Sequence, residues 1–185
     1  GIADAPGSPC IRYWSFYAEP DNGDLAQAER GKGCWGDKAD LYPACGDGAD
    51  YAEMLSLLAP AIHAADHGTK VLIGGVAYDW FQEDEGPFLR SFLGDTLSAL
   101  NQYPGGAAAY IDAVAFHYYP INAEWPTIRE KTAEIQGIMD AHGVSKLPLI
   151  CPEMGYWSSP NHGSSLERQA QRVVQMYTRG LSKSI

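Results

Sequence analysis

Two glutamates lie at the ends of strand-like segments, each close to a turn. Glu19 is followed by the turn-forming run 20–23, and Glu153 follows the apolar segment 147–151. Cleavage of a glycosidic bond uses a pair of carboxyl groups that flank the scissile bond. The two segments therefore indicate a sugar hydrolase, and other elements must bring the two side chains together.

Strand-like and helix-like segments alternate along the chain. Runs of apolar and β-branched residues predict strands, and apolar residues at helical spacing predict helices. The predicted strands are 10–17, 70–76, 111–118 and 147–151. The predicted helices are 50–67, 87–100, 126–143 and a last one from Ser164.

Several residues predict where the helices end and which faces they bury. Pro126 is preorganised for the first turn of the third helix, and Gly143 ends that helix. Ser164 and Glu167 predict a capping box at the start of the fourth helix. The residues expected to face inward are Tyr51, Leu55, Leu58, Ile62 and Ala65 in the first helix, and Leu166, Ala170, Val173, Val174 and Tyr177 in the last.

Four successive strand-helix units predict an α/β fold with a parallel sheet, because parallel strands need crossover connections. The sequence has neither the G-x-G-x-x-G turn of dinucleotide-binding sheets nor a Walker loop, so a barrel is the better interpretation. A complete (β/α)8 TIM barrel takes about 250 residues. We therefore expect residues 1–185 to form one incomplete barrel domain, with both glutamates at the carboxyl ends of its strands.

Three segments, in this order, resemble motifs of the large clan of retaining glycoside hydrolases with (β/α)8 barrels. Segment 11–22 resembles the fourth-strand motif, whose Glu is the general acid/base. Segment 115–119 resembles the sixth strand, and segment 148–156 resembles the seventh-strand motif, whose Glu is the nucleophile. The likeness covers nearly the whole chain, from the fourth strand to the helix after the seventh, and is nearest to the thirty-ninth-family type.

The resemblance implies a role for each matching residue. Glu19 would be the acid/base and Glu153 the nucleophile in double-displacement hydrolysis of O-glycosidic bonds, with no cofactor. His117 and Tyr119 would line the site, whereas Tyr118 faces away. The implied substrate is an oligo- or polysaccharide.

Ala18 departs from the motif of this clan. The clan places Asn before the acid/base Glu, and that Asn contacts the sugar 2-hydroxyl, a contact that strengthens toward the transition state. Three interpretations stay open: another donor substitutes, the substrate differs, or activity has decayed. The alternative function is a non-catalytic barrel that binds glycans or forms part of an extracellular assembly. A serine hydrolase is disfavoured, because the sequence lacks a G-x-S-x-G elbow.

Three tryptophans, Trp80, Trp125 and Trp157, each follow a predicted strand end. Indole rings at such places can stack on sugar rings, although large aromatic residues there also serve simple loop packing. We include all three as candidate substrate-binding residues, with loop packing as the alternative.

The composition limits the class of partner. A formal net charge of -10 disfavours nucleic acid and anionic membrane surfaces, both of which need a basic face. No apolar run approaches the roughly 20 residues that span a bilayer. A neutral carbohydrate fits this composition better. Four open units leave two sheet edges, so we expect the remaining strands to come from missing residues or another chain.

The cysteines suggest the compartment. Cys34 and Cys45 lie in one Gly- and Asp-rich loop and are expected to form a disulfide, whereas Cys10 and Cys151 are expected to be buried thiols. Such a bridge indicates an oxidising compartment, so the protein would be secreted or at the cell surface.

No metal site is expected from the sequence. The cysteines lack the pair spacing of zinc sites, and His63 and His67 lack the glutamate of a helical zinc motif and are expected on a solvated face. The polar loop 21–48 has no twelve-residue calcium pattern.

Overall fold

The computed structural model of the protein describes residues 11–22, 48–78, 88–120 and 127–182. Within these ranges, strands and helices alternate. The strands are β1 (Tyr13–Ala18), β2 (Lys70–Val76), β3 (Ala113–Tyr118) and β4 (Leu149–Met154). The helices are α1 (Gly48–Ala65), α2 (Phe92–Leu100), α3 (Ile128–Ala141) and α4 (Leu166–Leu181), with short 3-10 turns at Ala107–Ala109 and Pro160–His162.

The four strands form one parallel sheet in the order β1-β2-β3-β4. Each strand pairs with the next one along the chain, so that Ser15 lies opposite Leu72, Leu72 opposite Ala113, and Ala115 opposite Ile150. A helix connects each pair of neighbouring strands. The predicted α/β fold with a parallel sheet is confirmed.

The main core lies between one face of the sheet and the helices. Val71, Ile73, Val114 and Phe116 of the central strands are fully buried there. Removal of this apolar surface from water, worth about 25 cal/mol per Å², holds the helices on the sheet. The fully buried helix residues of this core include Tyr51, Leu55, Leu97, Leu100 and Met139.

A smaller cluster lies on the opposite face of the sheet. It consists of Leu72, Ala113 and Ala115, with Ile150 packed against them, and includes none of the helix residues that the structure describes. Side chains alternate faces along a strand, so His117 lies on the same face as Ala113 and Ala115. His117 lies on this second face near the carboxyl end of β3.

Helix α3 begins two residues later than predicted. Its N-cap is Thr127, whose side chain accepts from the Glu130 backbone N–H, while the Glu130 carboxylate accepts from the Thr127 N–H. This capping box stabilises the first turn of the helix. Pro126, the predicted first residue of the helix, lies outside the described residues. The predicted end is confirmed: Gly143 follows the helix with a positive φ of 75°, a conformation that suits glycine.

The predicted capping box of α4 is wrong by one residue. The N-cap is Ser165, whose side chain accepts from the Arg168 backbone N–H. The residue three positions after this cap is therefore an arginine, which has no acceptor to complete the box. Ser164 lies before the helix, and Glu167 belongs to its first turn.

Helix burial differs from the prediction at several positions. In α1, Tyr51 and Leu55 are buried and Ala65 is exposed. In α4, Val173, Met176 and Gly180 face the core, and a second apolar stripe faces solvent. The large residues of this second stripe are Leu166, Val174, Tyr177 and Leu181, which are 76%, 65%, 55% and 72% exposed. Ala170 is exposed as well. Among the described helices, none is both long and apolar enough to cross a membrane.

Candidate functional site

The site lies at the carboxyl ends of β1, β3 and β4. Glu19 comes directly after β1, and His117 lies near the end of β3. Strand β4 extends past its predicted end at Cys151, so Glu153 lies within the strand, opposite His117 in the β3–β4 register. The sheet itself therefore positions these three side chains.

The His117 imidazole lies between the two carboxylates. Its Nδ1 atom is 3.1 Å from Oε1 of Glu19 and 3.7 Å from Oε2 of Glu153. Both oxygens are measured from the same nitrogen atom, so the distance between them is at most about 6.8 Å. The His117 side chain is only 4% exposed, whereas those of Glu19 and Glu153 are 34% and 49% exposed. A buried imidazole thus separates two carboxylates that are open to solvent.

Tyr119 joins the same group of side chains. Its hydroxyl donates a hydrogen bond of 3.1 Å to Oε2 of Glu153. Partial removal from water, this hydrogen bond and the negative charges of Glu153 and Glu19 raise the pKa of Tyr119. The hydroxyl therefore stays protonated at neutral pH and acts as a donor to Glu153.

The backbone before the turn is strained. Tyr17 and Glu19 have φ values of 69° and 53°, in the left-handed region that disfavours residues with a Cβ. Two hydrogen bonds hold this conformation: the Glu19 N–H donates to the Gly75 carbonyl at 3.2 Å, and the Asn22 N–H donates to the Glu19 carbonyl at 3.1 Å. The strain lies at one of the two site carboxylates, which is where functional strain is commonly found.

Two glycines of β2 permit close packing at the site. A Cβ at Gly75 would overlap the His117 imidazole. A Cβ at Gly74 would lie 2.6 Å from the carbonyl oxygens of Phe16 and Tyr17. The glycine pair therefore allows both the β1 backbone and the His117 ring to approach β2.

Asp21 anchors the turn that follows Glu19. Its side chain is fully buried and accepts hydrogen bonds from the backbone N–H groups of Ala77 and Tyr78, at 2.9 and 2.8 Å. Burial raises the pKa of Asp21 to about 6, although these two hydrogen bonds and the charge of Lys131 lower it. The sequence showed Asp21 only as a turn residue, because its burial depends on distant parts of the chain.

The remaining predicted residues have varied outcomes. Trp157 follows β4 and is 41% exposed, and Tyr118 is buried in the main core as expected. Cys151 is a half-buried thiol whose Sγ lies 3.3 Å from the main-chain oxygen of Glu153. The candidates outside the described residues are Trp80, Trp125, Cys10, Cys34 and Cys45.

His63 departs from its expected solvated position at the opposite end of the sheet. Its Nε2 lies 2.9 Å from Oδ2 of Asp112, which also accepts from the Val71 N–H, while Oδ1 accepts from Lys70 Nζ at 2.8 Å. His67 is exposed as expected. Across the described ranges, no group of three or more His, Cys, Asp or Glu side chains is arranged to hold a metal ion.

The two carboxylates can divide the work of bond cleavage between them. Groups at this separation can act from the two sides of one bond, one as proton donor and the other as nucleophile. The sequence matches no known family model, and comparisons with curated proteins and with solved structures also find no match. The function is therefore inferred from the geometry of these side chains.

Proposed function

We propose that this chain carries the catalytic pair of a retaining glycoside hydrolase that cleaves O-glycosidic bonds in an oligo- or polysaccharide. The observation that carries the proposal is the meeting of Glu19 and Glu153 at one buried imidazole, with carboxylate oxygens within about 6.8 Å of each other. Retaining enzymes hold their carboxyl groups about 5–5.5 Å apart, and inverting enzymes about 6.5–9.5 Å apart. An upper limit of about 6.8 Å admits the retaining spacing, and the order of the three motifs, which resembles that of retaining enzymes, favours double displacement.

In the proposed reaction, Glu153 attacks the anomeric carbon and Glu19 protonates the leaving oxygen. The leaving group departs with that proton, and a glycosyl-enzyme ester forms on Glu153. Water then attacks the ester while Glu19, now ionised, accepts a proton from it. The free sugar leaves with the anomeric configuration of the substrate, and both carboxyl groups return to their starting states.

Hydrogen bonding leaves one oxygen of each glutamate available for this chemistry. With Nδ1 of His117 as donor, Oε1 of Glu19 is occupied and Oε2 carries the proton to be delivered. Tyr119 donates to Oε2 of Glu153, which leaves Oε1 to attack. His117 and Tyr119 therefore orient the two carboxyl groups and are not consumed in the reaction.

The sheet supports assignment to a (β/α)8 barrel in which β1 to β4 are the fourth to seventh strands. A closed barrel has consecutive strand order, helices on its outer face and side chains that fill its interior. The consecutive order and the packing of the described helices against one face of the sheet agree with this arrangement. Tyr13 of β1 is 60% exposed, and Ile11, two residues before the strand, is 62% exposed. Helix α4 also exposes its second apolar stripe. We propose that the remaining strands, from missing residues or another chain, cover these surfaces.

A glycan-binding protein without turnover is the second candidate, and Ala18 is the observation that favours it. Ala18 is exposed and pairs with Gly75 in the β1–β2 register. Neither side chain offers a hydrogen-bonding group to a sugar hydroxyl. A secreted or cell-surface location is proposed for either candidate, from the expected Cys34–Cys45 bridge.

The test is substitution of each glutamate in the intact protein. We expect Glu153→Gln to abolish turnover, because glutamine cannot form the glycosyl ester. We expect Glu19→Gln to slow hydrolysis of substrates with poor leaving groups by about 10²- to 10⁴-fold, since protonation of the leaving oxygen is lost. For a dinitrophenyl glycoside, whose leaving group needs no such proton, formation of the glycosyl-enzyme should slow much less and appear as a burst of dinitrophenol. Steady-state turnover should stay slow, because hydrolysis of the ester still lacks its base. Hydrolysis of a panel of aryl glycosides provides the measurement.

Glu167→Gln, at an exposed position in α4, is the matched control and should retain full activity. A fluorinated sugar that traps the intermediate should label Glu153, as detected by peptide mass spectrometry. Unchanged hydrolysis in either site variant contradicts the assignment. Sugar binding with no turnover by the unmodified protein supports the second candidate.

A further inference from the structure

Two opposite charges are buried beneath the carboxylate site. Asp21 is fully buried and Lys131 is only 3% exposed. A buried charge is costly unless hydrogen bonds and an opposite charge compensate for it. The groups that these two side chains contact therefore indicate what the pair accomplishes.

Asp21 connects the end of β1 to the end of β2. Its carboxylate accepts from the backbone N–H groups of Ala77 and Tyr78, which directly follow β2. Its own main-chain oxygen accepts from the Leu89 N–H at 2.7 Å. Because Asp21 lies two residues after Glu19, these contacts limit the movement of the Glu19 backbone.

Lys131 connects α3 to the end of β3. Its Nζ donates a hydrogen bond of 2.6 Å to the main-chain oxygen of His117, and its ammonium lies 5.8 Å from the centre of the Phe116 ring. The pairing of β3 with β4 shifts register between Ala115 and His117. Lys131 thus contacts the backbone where the regular ladder is interrupted and where the site imidazole is attached.

The two charged side chains border the same small cavity between the sheet and the helices. Asp21 and Lys131 both line it, together with Val76 and Leu93. The charge of Lys131 also lowers the pKa of Asp21, against the effect of burial, so the two groups interact electrostatically. Lys131 contacts the main chain of His117, whereas Asp21 holds the turn that follows Glu19 against the end of β2.

We infer that Lys131 and Asp21 are positioning residues that fix, from beneath the site, the placement of His117 relative to Glu19. This inference rests on the proposed function, because it assigns the pair a part in glycoside cleavage. Lys131 holds the His117 main chain, and Asp21 holds the turn after Glu19. Loss of the ammonium should therefore displace the imidazole from the two carboxylates.

The experiment compares Lys131→Met with Lys146→Met in the intact protein. Methionine keeps the length and apolar character of the Lys131 stem but removes the donor to His117. Lys146 is exposed and serves as the control. We expect kcat of Lys131→Met to fall about 10- to 100-fold, because a small misplacement of catalytic groups lowers the rate by that much. We expect KM to stay within about twofold of the value for the unmodified protein. The ¹⁵N resonances of the His117 ring should shift in this variant alone.

The outcomes separate this inference from the proposed function. If neither the unmodified protein nor Lys146→Met hydrolyses any glycoside, the proposed function fails, and the His117 ring resonances still test the positioning. A lower melting temperature in Lys131→Met with unmoved ring resonances and unchanged kcat overturns the inference. If Lys131→Met does not fold, Lys131→Gln, which keeps an N–H donor, is measured in the same way and should show smaller shifts of the same resonances.

Discussion

At the scale of single residues, the geometry of the site depends on a glycine that lacks a side chain and on two residues with an unusual backbone conformation. Gly75 has no Cβ, and the His117 imidazole occupies the space where one would lie. Glu19 and Tyr17 hold left-handed backbone conformations that residues with side chains rarely adopt. Close packing at Gly75 and strain at Glu19 together bring the carboxylate to the imidazole.

We predict that Gly75→Ala moves the His117 ring away from the carboxylates. The added methyl group overlaps the ring, so the ring or the strand must shift. We expect a loss of about 1–3 kcal/mol in the free energy of unfolding, in line with overpacking of a tight site. We also expect a fall of about 10- to 100-fold in kcat. Urea denaturation and glycoside hydrolysis measure the two effects.

The matched control for this prediction is Gly137→Ala in α3. A Cβ at Gly137 meets no atom within 4 Å, and alanine is the better helix former by about 1 kcal/mol. This variant should be slightly more stable and equally active. Gly75→Ala with the stability and activity of the unmodified protein contradicts the close approach of Gly75 and His117.

At the scale of elements, α1 joins β1 to β2 through one hydroxyl group. Tyr51 donates to the Phe16 carbonyl at 2.5 Å and accepts from the Gly74 N–H at 2.8 Å. The side chain is fully buried, and its ring packs on Phe92 with centroids 5.5 Å apart. The Tyr51 hydroxyl thus pairs with one backbone group of β1 and one of β2, both near the carboxyl ends of these strands.

We predict that Tyr51→Phe destabilises the protein by about 1–3 kcal/mol, because it removes the partner of the partly buried Phe16 carbonyl and of the buried Gly74 N–H. Amide hydrogen exchange at Gly74 should accelerate, and denaturant unfolding should give the energetic loss. Tyr177→Phe, at an exposed position of α4, should change stability by less than about 0.5 kcal/mol. Equal stability of the two variants contradicts the bridging role of Tyr51.

The strands and helices were predictable because their pattern is local, whereas several contacts of the site were not. Apolar periodicity located all four strand-helix units, with errors of up to five residues at their ends; the largest is in α2, which begins at Phe92 and not at the predicted residue 87. The burial of Asp21 depends on N–H groups 56 residues away along the chain, which no local pattern reveals. Lys131 was detectable in principle, because its spacing from Ile128 and Ile135 places it on the buried face of α3.

At the scale of the whole molecule, the two ends of the sheet respond to pH in opposite ways. Partial burial raises the pKa of Asp112, but hydrogen bonds from Lys70, Val71 and His63 outweigh it and hold that pKa below its ordinary value. Asp21, at the end that carries the site, has a raised pKa. Acid therefore weakens one end while it relieves the cost of a buried charge at the other.

We predict that Asp21→Asn changes how stability depends on pH. The folded pKa of Asp21, about 6, is above its ordinary value of 3.8, so its contribution to stability is fully present below pH 4 and is lost as pH rises through 6. Between pH 4 and pH 7.5, the unmodified protein should therefore lose about 2–3 kcal/mol relative to Asp21→Asn. Urea unfolding across this range measures the difference.

Asp112 is present in both proteins, so its opposite response cancels in that comparison. Parallel pH profiles for Asp21→Asn and the unmodified protein contradict the raised pKa. A larger loss for Asp21→Asn above pH 6 contradicts it as well, since it implies that the charged form stabilises the fold.

The consecutive strand order has a consequence for how the protein folds during synthesis. Each strand pairs with the one that follows it along the chain, so the sheet can grow in the order in which the ribosome releases it. Glu19 emerges first, His117 arrives with β3, and Glu153 arrives only with β4. A nascent chain that stops before residue 149 has one carboxylate and the imidazole but no second carboxylate. Formation of the complete pair is therefore a late event in folding.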